Sequence, residues 1–167
     1  KRFLPKTSVY CKGAQIVLID NASDDGSVEW VEKNYPDIKC ISLSENLGYA
    51  GGYNEGLKEI KADYYALVNT DIELTPNWLN PLIDQLQQDP DTAAVQPHIL
   101  NHTRQDYFEY AGAAGGYIDE MAIPFCRGRI FNHCEKDEGQ YIEKVPNFWP
   151  SGACFVIRSR VFWKHDG

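Results

Sequence analysis

Tyr64-Tyr65-Ala66-Leu67-Val68-Asn69-Thr70-Asp71 is an unbroken apolar run closed by a short polar turn, and Ile72-Glu73-Leu74 and Thr75-Pro76 follow it. An apolar run of this length bounded by turn residues reads as a buried strand. In open α/β sheets ligands gather outside the carboxyl ends of the strands, so a carboxylate at that mouth, Asp71, is placed to meet a ligand or a metal ion. Asn, Thr and Asp also favour turns and caps, and a plain strand-to-helix turn is the alternative reading.

The same rhythm extends in both directions. Upstream, Gln15-Ile16-Val17-Leu18-Ile19 has no polar alternation, as expected of a strand covered on both faces, and ends in Asp20-Asn21. The anionic turn Ala22 to Ser27 then leads into a helical stripe of Val28, Val31 and Tyr35 that Pro36 stops. Cys40-Ile41-Ser42-Leu43 reads as a second strand, Ser44 to Gly48 as its loop, and Ala50, Tyr53, Leu57 and Ile60 as one face of the next helix. Gly51, Gly52 and Gly56 on that helix allow close backbone approach. Downstream, Thr75 as N-cap and Pro76 at the first helical position predict a helix with the stripe Leu79, Leu82, Ile83 and Leu86, ending before Asp89-Pro90.

Three strand–helix units in series predict an α/β fold with a mostly parallel central sheet flanked by helices. Beyond Ala93-Ala94-Val95 the period is lost: Tyr107 to Arg129 is aromatic and glycine-rich, and later strands are expected around Tyr141-Ile142 and Phe155-Val156-Ile157. Lys1 to Tyr10 reads as the tail of a helix, and Val161 to Gly167 as the start of an amphipathic turn. Residues 1–167 are therefore expected to form one domain, incomplete at both ends.

Charge narrows the ligand classes. A net charge of -8 and a pI near 4.9 argue against sequence-independent nucleic-acid binding, which needs a basic face, and require a cation partner for any polyphosphate ligand. No run approaches the ~20 apolar residues of a membrane span, and Lys1-Arg2-Phe3-Leu4-Pro5 is too short for a signal peptide, which predicts a cytoplasmic protein. Cys11, Cys40, Cys126, Cys134 and Cys154 are odd in number with no C-x-x-C spacing, as for reduced, buried thiols. His98 and His102 have an i, i+4 spacing but follow Pro97 and lack a third ligand, and Cys126, His133 and Cys134 match no familiar zinc spacing. Trp78, Trp149 and Trp163 are more often core or interface than ligand platforms, and Trp149 is the best stacking candidate of the three.

Four segments in order carry a resemblance. Leu18-Ile19-Asp20-Asn21-Ala22-Ser23-Asp24-Asp25-Gly26-Ser27, then Asn46-Leu47-Gly48-Tyr49-Ala50-Gly51-Gly52-Tyr53-Asn54-Glu55-Gly56, then Asn69-Thr70-Asp71, then Ser151-Gly152-Ala153-Cys154 resemble the ordered motifs of family 2 glycosyltransferases, most closely the bacterial rhamnosyltransferase-like members. The resemblance implies a GT-A-type, Rossmann-like sandwich and a nucleotide-sugar donor. It also implies a glycan or lipid-linked acceptor in cell-surface polysaccharide synthesis, at the inner face of the cell membrane if missing segments supply an anchor.

The resemblance assigns roles as well. Asp20 accepts the ring N–H of a uracil or thymine, with Asn21 donating and accepting beside it. Asn46, Gly48 and Asn54 lie against the nucleotide, and Gly152 and Ala153 line the sugar pocket. Asn69, Thr70 and Asp71 form the acidic motif, in which Asp71 holds Mg²⁺ or Mn²⁺ and through it the diphosphate. The first position of that motif is often acidic in the family and is Asn69 here. The base that deprotonates the acceptor is expected beyond Gly167, and Asp166 lies before the position of that motif. Competing readings are a nucleotide-sugar or glycan-binding domain without catalysis and a sugar-phosphate nucleotidyltransferase. The glycines near residue 50 do not make the G-x-G-x-x-G of a nicotinamide-dependent reductase.

Overall fold

A computed structural model describes residues 1–167 as α1 (Leu4–Tyr10), β1 (Val17–Asp20), α2 (Ser27–Asn34), β2 (Lys39–Ser42), α3 (Gly48–Leu57), β3 (Tyr64–Val68) and α4 (Asn80–Gln88). Then come β4 (Ala94–Val95), β5 (Gly116–Ile118), β6 (Pro124–Cys126), β7 (Arg129–Ile130), β8 (His133–Cys134), β9 (Cys154–Arg158) and α5 (Ser159–Lys164). The expected strands and helices of the first half are present, because each is marked by its own apolar period and its own breaker. No helix is long and apolar enough to cross a membrane.

The sheet differs from the expectation of a mostly parallel centre. β1 and β2 pair in parallel, Val17 opposite Lys39 through Asp20 opposite Ser42. β3 pairs instead with the late strand β9, antiparallel, from Tyr64 opposite Arg158 to Val68 opposite Cys154, and β9 also carries β4. The sheets are small and mixed. The physical reason is that strand direction is set by which distant segment returns to the edge, and local periodicity carries no such information.

Two further expectations are corrected. The helix after β3 begins at Asn80 with Pro81 in its first turn, whereas Thr75 and Pro76 lie in an irregular segment. That segment stays non-helical because Leu74 and Trp78 are drawn into the core and Asn77 takes a left-handed φ of 58°. Tyr141-Ile142 forms no strand: Tyr141 packs on Phe108, and Ile142 is exposed.

The main core joins Cys11, Leu74, Trp78, Leu86, Ile99, Cys154 and Val156, and a second cluster joins Leu57, Tyr65, Leu67 and Phe162. Arg158 at the end of β9 is buried with its charge, and its guanidinium donates to the carbonyls of Leu86, Asp89 and Thr92 at the C-terminus of α4. A cation there satisfies orphan carbonyls and opposes the helix dipole. α3 lies on β1 through Gly56, where a Cβ would stand 2.6 Å from Cγ2 of Ile19. That close approach carries the N-terminal end of α3 over the end of β1 and so positions the site.

Candidate active site

β1 ends at Asp20, which is buried, and its Oδ2 accepts the backbone N–H of Ser23 at 3.1 Å. The Asx turn and the ligand reading thus coexist: one carboxylate oxygen shapes the turn, and the other has no hydrogen bond within the protein. Asn21 does something sequence reasoning did not foresee. Its Nδ2 donates to Asn46 Oδ1 and to the Gly48 carbonyl, both at 2.9 Å, and its Oδ1 accepts the N–H of Leu47 at 2.9 Å. The Asn21 amide thus pins the 46–48 loop to β1. Asn46 Oδ1 also accepts the N–H of Gly48 at 2.9 Å.

From that loop the contacts run on to the other motifs. Tyr49, the first side chain after Gly48, donates its phenol to the Gly152 carbonyl and meets Tyr53 edge to face with ring centroids 5.1 Å apart. Tyr53 in turn reaches the Val68 carbonyl at 3.4 Å, and burial raises both phenols above their usual range, so both remain donors at neutral pH. At the end of β3 the N–H of Asn69 donates to the Ala153 carbonyl at 2.9 Å and the Asn69 carbonyl accepts from Ile72 at 3.1 Å. Ser151 is buried; its N–H donates to Gln96 Oε1 at 2.6 Å and its hydroxyl to the Ala111 carbonyl at 2.9 Å. The adjacent Cys154 thiol is pushed up to about 12 by burial and stays protonated.

Hydrogen bonds join Asn21, Asn46, Gly48, Asn69, Gly152 and Ala153 in one circuit around the ends of β1 and β3, to which Asp20, Thr70 and Asp71 attach only as chain neighbours. Asn54 stands apart from it, its amide donating to the Asp166 carbonyl at 3.2 Å. α5, which leads to Asp166, begins beside Tyr64 at the opposite end of β3 from Asp71. A wide surface cavity of about 730 Å³, lined by Leu57, Tyr65 and Trp163 among others, also opens away from these residues. Sequence reasoning missed Tyr49, Gln96 and Ser151 as the linking groups; the signal for Tyr49 was a large aromatic set among the small residues of a glycine-rich turn.

Asp71 is exposed, and its carboxylate makes no hydrogen bond or ion pair within the protein. Glu73, two residues on, is engaged by Lys6 and by His102 Nδ1 at 3.4 Å, and Lys6 and His102 hold it in the ionised form. No group of three or more His, Cys, Asp or Glu side chains converges to hold a metal. The residues fit a hard cation bound by one protein carboxylate, with phosphate oxygens and water completing the shell. His98 and His102 do not share a helix face: His98 meets Phe108, while His102 meets Phe3, Arg2 and Glu73. Trp149 packs its ring against Gly116, and its Nε1 donates to the Tyr117 carbonyl at 3.0 Å.

The profile described as "Glycosyl transferase family 2" matches residues 8–166. An N-acetylglucosaminyl-diphospho-decaprenol L-rhamnosyltransferase of Mycobacterium tuberculosis is 22% identical over 182 residues, covering 100% of this chain and 59% of that protein. A low-salt glycan biosynthesis hexosyltransferase of Haloferax volcanii is 28% identical over 89% of this chain and 46% of its own length. A poly-beta-1,6-N-acetyl-D-glucosamine synthase of Staphylococcus aureus is 28% identical over 60% of this chain and 26% of its own length. The chain thus spans about three fifths or less of the relatives it matches.

Proposed function

The chain belongs to glycosyl transferase family 2, and from that premise we propose that it forms the donor-binding part of an inverting, metal-assisted glycosyltransferase. Its donor is a UDP- or dTDP-sugar and its acceptor a glycan or lipid-linked glycan of cell-surface polysaccharide, used at the inner face of the membrane. The observation that supports this reading best is the circuit of hydrogen bonds that joins the four motifs at the ends of β1 and β3. Motifs dispersed over the sequence from residue 18 to 154 converge where α/β sheets take their ligands.

Each residue then has a task. The unpaired Asp20 oxygen accepts the imide N–H of uracil or thymine, a donor that cytosine lacks. Asn21 holds the 46–48 loop against the nucleotide through its amide. Gly152 and Ala153 present backbone and small side chains to the sugar, and Tyr49 keeps that segment against α3. Asp71 is the carboxylate that would hold Mg²⁺ or Mn²⁺, whose Lewis acidity neutralises the charge of the departing nucleoside diphosphate.

Thermal unfolding with UDP, dTDP and GDP, each with and without Mn²⁺, tests the reading. Ligand at about 100 times its dissociation constant stabilises by roughly 2.7 kcal/mol, a shift of about 5 to 10 °C for a domain of this size. The expected result is a shift with UDP or dTDP that needs Mn²⁺ and is lost in Asp71→Ala. An Asp71→Ala protein with an undiminished Mn²⁺-dependent shift would overturn the metal assignment.

A further inference from the structure

Arg127 is an arginine without a carboxylate partner in a chain with 24 acidic residues. Its Nε and Nη2 both donate to the Ala114 carbonyl, at 3.1 and 2.8 Å, and the guanidinium lies over the rings of Tyr117 and Tyr141, 5.7 and 5.1 Å from their centroids. A guanidinium carries five N–H groups, so three remain undirected within the protein. Held over two rings and clamped to a carbonyl, it is preorganised, which lowers the entropy cost of binding an anion.

The group beside it is also unused. Gly115 has a φ of +113°, and the point where its Cβ would stand is 3.4 Å from Asn147 Nδ2 and 3.8 Å from Arg127 Nη2. The Asn147 amide is half-buried and makes no hydrogen bond in the protein. Backbone bonds hold the parts together: Arg127 N–H to the Gly115 carbonyl at 3.1 Å, Ala114 N–H to the Arg127 carbonyl at 3.2 Å, and Phe148 N–H to the Gly116 carbonyl at 2.8 Å. Any side chain at position 115 would fill the space between the two donor groups. The nearby carboxylate of Glu135 is taken by the Tyr141 hydroxyl at 2.9 Å.

We propose that the undirected N–H groups of Arg127 and Asn147, which meet beside Gly115, form an anion site for the phosphate or diphosphate of the acceptor. The word acceptor rests on the transferase reading above; the anion chemistry does not. Asn147 stands five residues before Gly152 in the chain, which ties the site to the segment that the transferase reading gives to the sugar. Planar N–H donors and an amide suit the oxygens of a phosphate monoester or a diphosphate.

The test is calorimetric titration of the protein with inorganic pyrophosphate in EDTA, where a cation-dependent donor site is silent, followed by farnesyl diphosphate and farnesol. Wild type is expected to bind pyrophosphate, and Arg127→Gln and Asn147→Asp to bind it at least tenfold more weakly. Asn147→Asp keeps the shape and removes no protein hydrogen bond, so it reads the site even if Arg127→Gln unsettles the Ala114 carbonyl. Farnesyl diphosphate binding more tightly than pyrophosphate, with farnesol silent, assigns a lipid-linked diphosphate; equal affinity assigns a site for the phosphate groups alone. Titration with UDP and Mn²⁺ is expected to be unchanged in both variants. Unaltered pyrophosphate binding in both variants overturns the proposal, as does a parallel loss of UDP–Mn²⁺ binding, which would make this the donor's own diphosphate site. Failure of wild type to bind any nucleotide would strike the donor reading while leaving the pyrophosphate result standing.

Discussion

Residues 1–95, together with β9, and residues 98–149 are built on different physics. In the first region α4, β9 and the segment after β3 bury whole side chains such as Leu86 and Val156, both at 0% exposure, in a core contributed by several elements. In the second, the buried cluster is only Phe108, Ala113 and Ala114, while Met121, Phe131, Ile142 and Phe148 are 70% exposed or more. Its order comes from backbone bonds between very short strands and from Arg127 and Arg129 lying over Tyr117, Tyr141 and Tyr110. The side that carries β1 and β3 rests on a hydrophobic core, whereas the segment leading to Gly152 rests on a few polar and aromatic contacts.

The sharpest way to break that comparison is Phe108→Ala. Deleting a fully buried phenylalanine costs about 3–5 kcal/mol, and here the loss is expected to stay local. Hydrogen exchange should show amides of 98–149 losing protection while β1 and β3 keep theirs; equal loss everywhere would make the two regions one cooperative unit. Leu86→Ala is the counterpart in the main core, expected to cost about 2–5 kcal/mol and to lower the melting temperature of the whole protein, as followed by circular dichroism.

A pH series probes the same core more gently. The folded Cys154 thiol keeps its proton up to about 12, whereas an unfolded thiol loses it near ~8.5. Between those values the unfolded state binds fewer protons, so stability falls as pH rises, by about 1.4 kcal/mol per unit, and none of this effect is present below ~8.5. Denaturant unfolding from pH 7 to 10 should show the slope, and Cys154→Ala should reduce it; Cys11, also raised by burial, retains its own share. The smallest effect is expected from Phe131→Ser at an 87% exposed tip, within about 0.5 kcal/mol in the same unfolding assay.

The two regions also differ in how far they can be read from sequence. β1 and β3 are legible because Val17–Asp20 and Tyr64–Val68 are continuous apolar runs with an Asp or Asn at the mouth. Strand direction was not legible: nothing within Cys154–Arg158 says that it returns antiparallel to Tyr64–Val68. Nor was the helix start, since Pro76 and Pro81 carry the same local signal and the burial of Leu74 and Trp78 decides between them. β5 to β8 are two or three residues long, too short to show a period of two. The task of Asn21 was hidden because its three partners come from a loop 25 or more residues away.

The bonds that hold the Asp71 turn join main chain to main chain: Asn69 N–H to the Ala153 carbonyl, and Ile72 N–H to the Asn69 carbonyl. No change of side chain at 69, 72 or 153 short of proline deletes the donor or the acceptor of either bond. The frame of the turn is therefore insulated from its own lettering, and the side chains it displays are free to drift toward another ligand while the carboxylate keeps its place.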